Sequence, residues 1–235
     1  MASQFSIKIK GFLESSFLDW PGQVSSVIFL AGCNFRCPFC HNYGLVLNPD
    51  EYPTLDWDVI KARLKVFHNW IDGVVISGGE PTISPGLPDF IQDIRAAGFK
   101  VKLDTNGSRP EVLADLLDRG LLDHVAMDVK APLNELAYAR AAGRPGFLNK
   151  VKDSLALLKS SGLPYILRTT VVPGLHTESD ILTLAKELSG VPDWRLQLFK
   201  PENALDCSYR RLEPMNHDFF DHLDQKAHQI LRQSA

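Results

Sequence analysis

Residues 27–42 read VIFLAGCNFRCPFCHN and join a short apolar run to three cysteines that fall within eight residues. The run 27–30 predicts a buried strand that leads directly into the cysteine loop. The cysteines are Cys33, Cys37 and Cys40. Thiolates at spacings of four and three residues can face one point, and three is one fewer than a closed four-iron cluster takes from protein. The stretch therefore predicts a strand followed by an iron–sulfur loop in which one iron stays open.

A structural zinc site is the alternative interpretation of the same loop. His41 or Cys207 would then supply the fourth ligand. Zinc sites favour two separated ligand pairs, whereas Cys207 stands far downstream and His41 follows Cys40 too closely for a relaxed tetrahedron. The position of His41 also allows it to tune a cluster through a hydrogen bond. Cys207 has no partner at metal-ligand spacing and is expected to be an ordinary thiol.

The composition is ordinary for a globular protein, with 235 residues, 45% hydrophobic side chains and 23% charged side chains. The net charge of −3 argues against a nucleic-acid partner. No apolar run is long enough to span a bilayer, so no membrane partner is expected either.

Cysteine use and the start of the chain bear on the compartment. Four cysteines, three of them clustered, do not form a disulfide framework. Thiolate ligands need a reducing compartment, and residues 1–5 lack the basic start of a secretory signal. We therefore expect a cytoplasmic location.

Short β-rich runs alternate with amphipathic helical runs along the chain, which predicts a parallel sheet in an α/β fold. Six such units are fewer than the eight of a closed barrel, so we expect an open, partial (β/α)6 TIM-like barrel. A doubly wound sheet is the alternative. We expect one domain over residues 1–235, with a core at about 12–200 and a C-terminal helix at about 213–233. The predicted strands are 27–30, 73–77, 101–104, 125–128, 165–171 and 194–199, and the predicted helices include 55–71, 87–94, 112–117, 151–158 and 181–188.

Polar residues follow directly after four of the predicted strands. They are the cysteine loop, Gly78 to Glu80, Asp104 to Asn106, and Asp128 with Lys130. Taken singly, each has a structural explanation, such as a turn at an Asn-Gly pair or a helix cap. Because the carboxyl ends of parallel strands form one ligand face, the four groups should converge, and together they favour a site.

The spacing Cys33-x3-Cys37-x2-Cys40, with the aromatic Phe39 before the third cysteine, resembles the cluster motif of the radical S-adenosylmethionine (radical SAM) superfamily. Residues 78–81, Gly-Gly-Glu-Pro, resemble its second motif. The resemblance extends from about residue 12 to 199. It implies a [4Fe–4S] cluster whose open iron binds S-adenosylmethionine, and reductive cleavage of that cofactor to methionine and a 5′-deoxyadenosyl radical.

The same resemblance assigns roles to the second motif. It implies that Gly78 and Gly79 let the backbone approach the cofactor. It implies that Glu80 accepts a hydrogen bond from the cofactor's ammonium group or organises the loop.

Within the superfamily, the chain is similar to the activating enzymes of glycyl-radical enzymes. The similar residues are 19–22, 40–42, 103–107, 127–130, Arg168 and 171–174. The resemblance implies that Lys130 and Arg168 contact the carboxylate and ribose side of the cofactor. It places Asp104, Thr105 and Asp128 beside them, with a monovalent cation near the two aspartates. It places Asp19 where the glycine loop of a partner enters.

The resemblance also bears on the partner. The activator of pyruvate formate-lyase has a histidine after its sixth strand, where residues 198–202 of this chain read LFKPE. Residues 17–22 and 195–200 are more similar to the longer form of anaerobic ribonucleoside-triphosphate reductase activating proteins. We therefore expect hydrogen abstraction from a glycine of that reductase, with a one-electron donor such as flavodoxin or ferredoxin. With Cys207 alone left over, a ferredoxin-like insert is not expected.

Three other functions remain open from the sequence. The first is activation of another glycyl-radical enzyme, such as pyruvate formate-lyase. The second is a radical enzyme that acts on a small molecule, for example a deazaguanine synthase. The third is a non-catalytic zinc or iron–sulfur protein.

Overall fold

The computed structural model describes residues 6–233. Residues 1–5, on which the expectation about a secretory signal rests, lie outside the described residues. The strands are β1 (Ile9–Ser16), β2 (Ser25–Leu30), β3 (Gly73–Gly78), β4 (Lys100–Thr105), β5 (His124–Asp128), β6 (Tyr165–Val171) and β7 (Trp194–Leu198). The α-helices are α1 (Tyr43–Leu47), α2 (Trp57–Val66), α3 (Leu87–Ala96), α4 (Pro110–Asp118), α5 (Glu135–Ala142), α6 (Leu148–Ser161), α7 (Glu178–Glu187) and α8 (His217–Gln233). Short 3-10 turns lie at Pro49–Glu51, Pro81–Ile83, Pro201–Asn203 and Tyr209–Arg211.

The seven strands form one sheet in which spatial order follows chain order. Strands β2 to β7 are parallel, and β1 pairs antiparallel with β2. A doubly wound sheet reverses its strand order at a switch point, whereas this sheet winds in one direction. The predicted α/β fold with six parallel strands in a partial barrel is confirmed, and the doubly wound alternative is wrong. Strands β1 and β7 are the two edges, so the barrel stays open.

The two faces of the sheet have different roles, because side chains alternate along a strand. On the outer face, Ile28, Ile76 and Leu103 belong to a large hydrophobic core that includes the helices and extends to α8. On the inner face, Val27 and Val75 form a separate small cluster with Trp20. The side chains on the inner face of each strand therefore line the barrel interior and determine its polarity.

The inner positions become more polar toward the later strands. The ladder pairs Val27 with Val75, Val75 with Lys102, and Lys102 with His124. Two layers nearer the carboxyl ends, Asp128 pairs with Arg168. Lysine and arginine are rarely buried in a protein core unless they are paired with acidic groups. Their presence on the inner face indicates that this interior could bind a polar ligand.

Several element boundaries differ from the sequence expectations. The predicted helix 55–71 is shorter, because the Asp56 side chain caps it by accepting from Asp58 N at 2.8 Å and the chain turns at residues 67–70. The C-terminal helix begins at His217 and not near 213, since the Asn216 side chain accepts from Phe219 N at 3.1 Å.

The sequence analysis did not predict β1, α1 or α5. Strand β1 is an antiparallel edge strand with register shifts and mixed exposure, so it lacks a clean alternation. The helices α1 and α5 are only five and eight residues long. Within residues 6–233, no helix combines the length and the apolarity needed to cross a bilayer.

Candidate active site

A cavity of about 420 Å³ occupies the barrel interior and opens to solvent. Every residue that the sequence assigned to the site lines this cavity, so the structure brings all of them together. They are Asp19, Cys33, Cys37, Phe39, Cys40, Gly78, Gly79, Glu80, Asp104, Thr105, Asp128, Lys130 and Arg168. Their individual roles toward a cofactor stay predictions. The sequence did not single out Phe29, Phe35, Ser77, Thr170 and Gln197, which also line it.

The cysteine loop is anchored by hydrogen bonds from its own backbone and from Arg36. The guanidinium of Arg36 donates through Nη1 to the carbonyl oxygens of Cys33 and Phe35, both at 2.7 Å. Its backbone N–H donates to Ala142 O at 2.8 Å, at the end of α5. A Cβ at Gly143 would lie 2.0 Å from Arg36 O, so only glycine lets α5 end this close to the loop. The loop is thus held in shape by protein contacts.

Burial controls the ionisation of the three thiols. It is the main cause that raises the pKa of Cys33 to about 11 and that of Cys37 to about 12. It also raises the pKa of Cys40. The positive charge of Lys130 acts in the opposite direction on all three groups. The thiols are therefore protonated near neutral pH in the metal-free chain, and a metal must displace these protons to bind.

The arrangement of the thiols fits an iron–sulfur cluster better than a zinc ion. Among residues 6–233, no three His, Cys, Asp or Glu side chains could hold a single metal ion. A zinc ion needs its thiolates within about 2.3 Å of one point, whereas each cysteine of a four-iron cluster binds a different iron. Cys33, Cys37 and Cys40 line one cavity without converging on one ion, which fits the cluster.

Within residues 6–233, neither proposed fourth zinc ligand joins the cysteines in a group that could hold a metal ion. His41 lies against Lys200 O, at 2.6 Å from Nε2, and stacks on Phe199 with ring centres 5.8 Å apart. Cys207 is exposed and does not line the cavity. The structure therefore gives no support to the zinc interpretation, or to a direct contact of His41 with the cysteine sulfurs.

The two glycines after β3 allow the next loop to pack against the cysteine loop. A Cβ at Gly79 would lie 1.7 Å from Gly32 O, and Gly78 has a φ of +118°, where L side chains are strained. Gly79 N donates to Leu30 O at 3.0 Å, and Glu80 N donates to Gly32 O at 2.8 Å. The glycines thus serve a contact between two protein loops, in addition to the predicted approach to a cofactor.

Glu80 organises the strand ends. Its Oε1 accepts from Thr82 N at 3.1 Å, Thr82 Oγ1 at 2.5 Å and Thr105 Oγ1 at 2.7 Å. Its Oε2 accepts from Asn106 N at 2.6 Å. Burial raises the pKa of this carboxyl, and these hydrogen bonds oppose the shift. Of the two predicted roles of Glu80, this geometry favours the organisation of the loop.

Five charged side chains of alternating sign cross the barrel interior. In order they are Lys102, Asp104, Arg168, Asp128 and Lys130. Lys102 Nζ donates to Asp104 Oδ1. Arg168 bridges the two aspartates, from Nη1 to Asp104 Oδ2 at 3.1 Å and from Nε to Asp128 Oδ1 at 2.8 Å. Lys130 Nζ donates to Asp128 Oδ2 at 2.9 Å.

This row has three cations and two carboxylates, and two further acidic residues, Glu80 and Asp19, line the same cavity. Burial alone would raise the pKa of Asp128, but Arg168 and Lys130 lower it below its usual range. Burial alone would lower the pKa of Lys130, but Asp128 and the Cys37 thiol raise it. Lys102 lies beneath the cavity and is 1% exposed, while Lys130 and Arg168 line it. Lys130 and Arg168 are therefore the two cations that an anionic group bound in the cavity would meet.

The guanidinium of Arg168 lies between the two aspartates at which a monovalent cation was expected. The cation site near Asp104 and Asp128 stays a prediction. A bound monovalent cation would compete with the Arg168 guanidinium, which already bonds both carboxylates.

His176 is a buried residue that sequence reasoning did not place near the site. Its Nδ1 accepts from Val172 N at 3.0 Å, so the proton lies on Nε2, which donates to Lys130 O at 2.8 Å. Burial lowers the pKa of this histidine. The ring therefore joins the loops after β5 and β6 as a neutral group. A lone histidine after a strand carries no pattern from which this could be read.

Asp19 lies at the other end of the cavity from the strand ends. It belongs to the turn between β1 and β2, which sits at the amino ends of the parallel strands because Ser16 pairs with Ser25. Ser16 Oγ donates to Asp19 Oδ2 at 2.5 Å and accepts from Leu18 N at 3.1 Å. The cavity thus extends from the cysteine loop to a fixed turn on the opposite side of the barrel.

A sequence model of the radical SAM superfamily matches residues 27–188, which include the cysteine loop, the glycine loop and the charged row. The chain belongs to the radical SAM superfamily. It is therefore an oxidoreductase that uses a [4Fe–4S] cluster and S-adenosylmethionine, and the three cysteines are the residues that fit the cluster.

Two curated relatives match over most of their length. A protein of Methanocaldococcus jannaschii, described as a "putative glycyl-radical enzyme activating enzyme", is 34% identical over 212 residues, or 87% of this chain and 85% of the relative. The pyruvate formate-lyase-activating enzyme of Clostridium pasteurianum is 25% identical over 225 residues, or 90% and 88% of the two chains.

Among solved structures, Streptococcus suis SuiB bound to the precursor peptide SuiA superposes with a TM-score of 0.65 at 14% identity. The match covers 88% of this chain and 46% of that chain. At this identity the similarity concerns the fold alone.

Proposed function

We propose that this radical SAM enzyme activates a glycyl-radical enzyme, and that its target is an anaerobic ribonucleoside-triphosphate reductase. The observation that carries the proposal is the course of the cavity. It begins at the cysteine loop and reaches Asp19 at the amino end of an open barrel. A glycine in a polypeptide loop needs an entrance on the side away from the cluster, and Asp19, which lines the cavity there, marks where that loop would lie.

The surface beside Asp19 also suits a protein partner. Phe17 and Leu18 form the tip of the same turn and are 76% and 91% exposed. Large apolar side chains that are held in a rigid exposed turn are typical anchors for another protein. The two relatives that match over most of their length support the proposal, since both carry the name of an activating enzyme.

Residues at different places along the cavity have different roles in the proposed reaction. Cys33, Cys37 and Cys40 would hold the cluster, and Lys130 and Arg168 would contact the carboxylate and ribose side of the cofactor. When bound, the cluster and S-adenosylmethionine supply a 5′-deoxyadenosyl radical, with one electron from an external donor. That radical would take one hydrogen atom from the glycine Cα of the partner, which would leave the glycyl radical there.

Asp19 has a separate task in this mechanism. Its carboxylate, fixed by Ser16, accepts hydrogen bonds from the backbone N–H groups of the incoming loop. Phe29 and Phe35 line the cavity between the two ends and help to exclude water from the reacting atoms.

The choice of reductase over pyruvate formate-lyase rests on the end of β7. At the position where the pyruvate formate-lyase activator is expected to have a histidine, this chain has Phe199 and Lys200. Phe199 is 1% exposed and packs against His41, while Lys200 offers its carbonyl to the same ring. An aromatic side chain therefore fills this position and braces the cysteine loop.

The test is anaerobic incubation of the reconstituted enzyme with S-adenosylmethionine, a reductant and candidate partners, followed by electron paramagnetic resonance. We expect a glycyl doublet with an anaerobic ribonucleotide reductase. A doublet with another glycyl-radical enzyme alone would leave the class intact and show that the target is wrong. Consumption of a small molecule, with no protein radical in any partner, would show that the class is wrong.

A further inference from the structure

The side-chain amide of Asn106 points at the sulfur of one cluster ligand. Asn106 Nδ2 lies 3.8 Å from Cys33 Sγ, within the range for an N–H···S hydrogen bond. Asn106 follows β4, whereas Cys33 follows β2, so the contact joins two strand ends that are 73 residues apart in the chain.

The orientation of this amide is fixed by its other partners. Its Oδ1 accepts from the backbone N–H of Ser108 at 2.9 Å, and a backbone N–H can only donate. The oxygen must therefore face Ser108, and Nδ2 must face Cys33 and Asn34, whose Oδ1 accepts from it at 3.0 Å. Asn106 is 6% exposed, and its backbone N–H is held by Glu80. The side chain thus has little freedom to turn its donor away from the sulfur.

We propose that Asn106 is a positioning residue that donates a hydrogen bond to the Cys33 thiolate of the bound cluster and thereby raises the reduction potential of the cluster. A donor at a cluster sulfur stabilises negative charge, and the reduced cluster carries one more negative charge than the oxidised one. Cys33 receives a second donor from Phe35 N at 3.3 Å. His41, which was the sequence-based candidate for tuning, is engaged with Lys200 O instead.

The structure offers a matched control in the same network. Ser108 Oγ accepts from Asn34 Nδ2 at 2.7 Å, and Ser108→Ala removes this bond. The same variant keeps the backbone N–H that fixes Asn106 Oδ1. Ser108→Ala therefore disturbs the network without removing the donor to Cys33, whereas Asn106→Leu removes that donor at similar side-chain size.

The experiment is a redox titration of each reconstituted protein, monitored by the electron paramagnetic resonance signal of the reduced cluster. We expect Asn106→Leu to shift the midpoint potential to a more negative value than wild type, and Ser108→Ala to leave it close to wild type. Equal potentials in wild type and Asn106→Leu would overturn the proposal. So would equal shifts in both variants, because the network and not the N–H···S bond would then set the potential.

A measurement on the unmutated residue covers the case in which Asn106→Leu does not load a cluster. Protein is prepared with asparagine that carries 15N at Nδ2 only, and pulsed electron paramagnetic resonance detects 15N coupling to the reduced cluster. We expect a coupling that survives in Asn34→Asp, which keeps the acceptor for Asn106 Nδ2 but removes the neighbouring labelled amide, and in Asn42→Ala. Absence of the coupling in the wild-type protein, or its loss in either of these variants, would show that Asn106 is not the donor.

Discussion

The raised pKa values of the cysteine thiols make the stability of the metal-free chain depend on pH. An unfolded thiol titrates at about 8.5, whereas Cys33 and Cys37 titrate at about 11 and about 12 in the folded chain. A raised folded pKa contributes stability that is complete below the unfolded pKa and is lost as pH rises toward the folded pKa. We therefore expect the free energy of unfolding to fall between pH about 8.5 and about 12. Urea unfolding of the metal-free protein, carried out anaerobically in reductant at a series of pH values, measures this free energy.

The control for this prediction is Cys207, which is exposed. We expect Cys37→Ala to flatten the alkaline fall and Cys207→Ser to leave it unchanged. An alkaline slope that is the same in wild type and Cys37→Ala would show that the thiols are not its source.

Arg168 and Lys130 should differ in what they contribute to the fold. Arg168 bonds Asp104 and Asp128 on two strands, while Lys130 bonds Asp128 alone. Removing Arg168 takes one charge-assisted hydrogen bond from each aspartate, while Lys102 and Lys130 still pair with them, at a cost of about 3–6 kcal/mol for the two bonds. We expect Arg168→Met to lower the free energy of unfolding by about that amount and Lys130→Met by clearly less, as measured by urea unfolding of metal-free protein. Equal losses would mean that the two carboxylates find other partners when Arg168 is absent.

At the scale of elements, the contact between the β3 loop and the cysteine loop sets a steric limit at Gly79. The Gly79→Ala methyl would meet Gly32 O at 1.7 Å, so the two loops must separate. We expect Gly79→Ala to lower the iron content per chain after reconstitution and to lower the urea midpoint of the metal-free protein. The control is Gly190→Ala, which has a φ of +77° but no atom within 4 Å of the added methyl. Its cost is left-handed strain of about 1 kcal/mol, and its iron content should equal that of wild type.

The strand ends were the predictable part of the fold and of the site. A cysteine triplet, a Gly-Gly-Glu run and two acidic ends follow apolar runs, and parallel strands place such ends on one face. Lys102 was not predictable as an interior charge, because in the sequence it is only a lysine between Val101 and Leu103. Lys102 is buried because it lies on the side of β4 that faces the barrel interior. Which side faces the interior depends on how β4 pairs with β3 and β5. The cap at Asn134, whose Oδ1 accepts from Ala137 N at 2.9 Å, could have indicated α5.

At the scale of the whole molecule, the direction of the cavity could not be read from the sequence. The pattern of strand ends predicts a site on the carboxyl face, and the cysteines confirm that face as one end. Strand β1 runs antiparallel and returns the chain to the amino face, where its turn brings Asp19 to the other end. Strand β1, which the hydrophobic pattern did not predict, is thus the element that places Asp19 at the amino end of the cavity, opposite the cysteines.

If a partner protein docks at the amino end, the β1–β2 turn should matter for a protein substrate and not for the cofactor. Burial of a Phe or Leu side chain contributes about 1.5–3 kcal/mol, and tenfold in a rate constant corresponds to about 1.4 kcal/mol. We expect Phe17→Ser with Leu18→Ser to lower kcat/KM for glycyl radical formation by about tenfold or more, mainly through KM. Asp19→Ala should slow radical formation as well. Both should retain the cluster content and the slow cleavage of S-adenosylmethionine in the absence of partner.

Leu136→Ser is the matched control, since Leu136 is also 76% exposed but lies on α5 and outside the turn. It should behave as wild type in both assays, because its loss removes exposed apolar surface without touching the cavity. Radical formation at the wild-type rate in the Phe17/Leu18 variant would exclude the turn as the docking surface. A partner that still responded to Asp19→Ala would then reach the cavity without contacting Phe17 or Leu18, for example past the edge strand β7, where Gln197 lines the cavity.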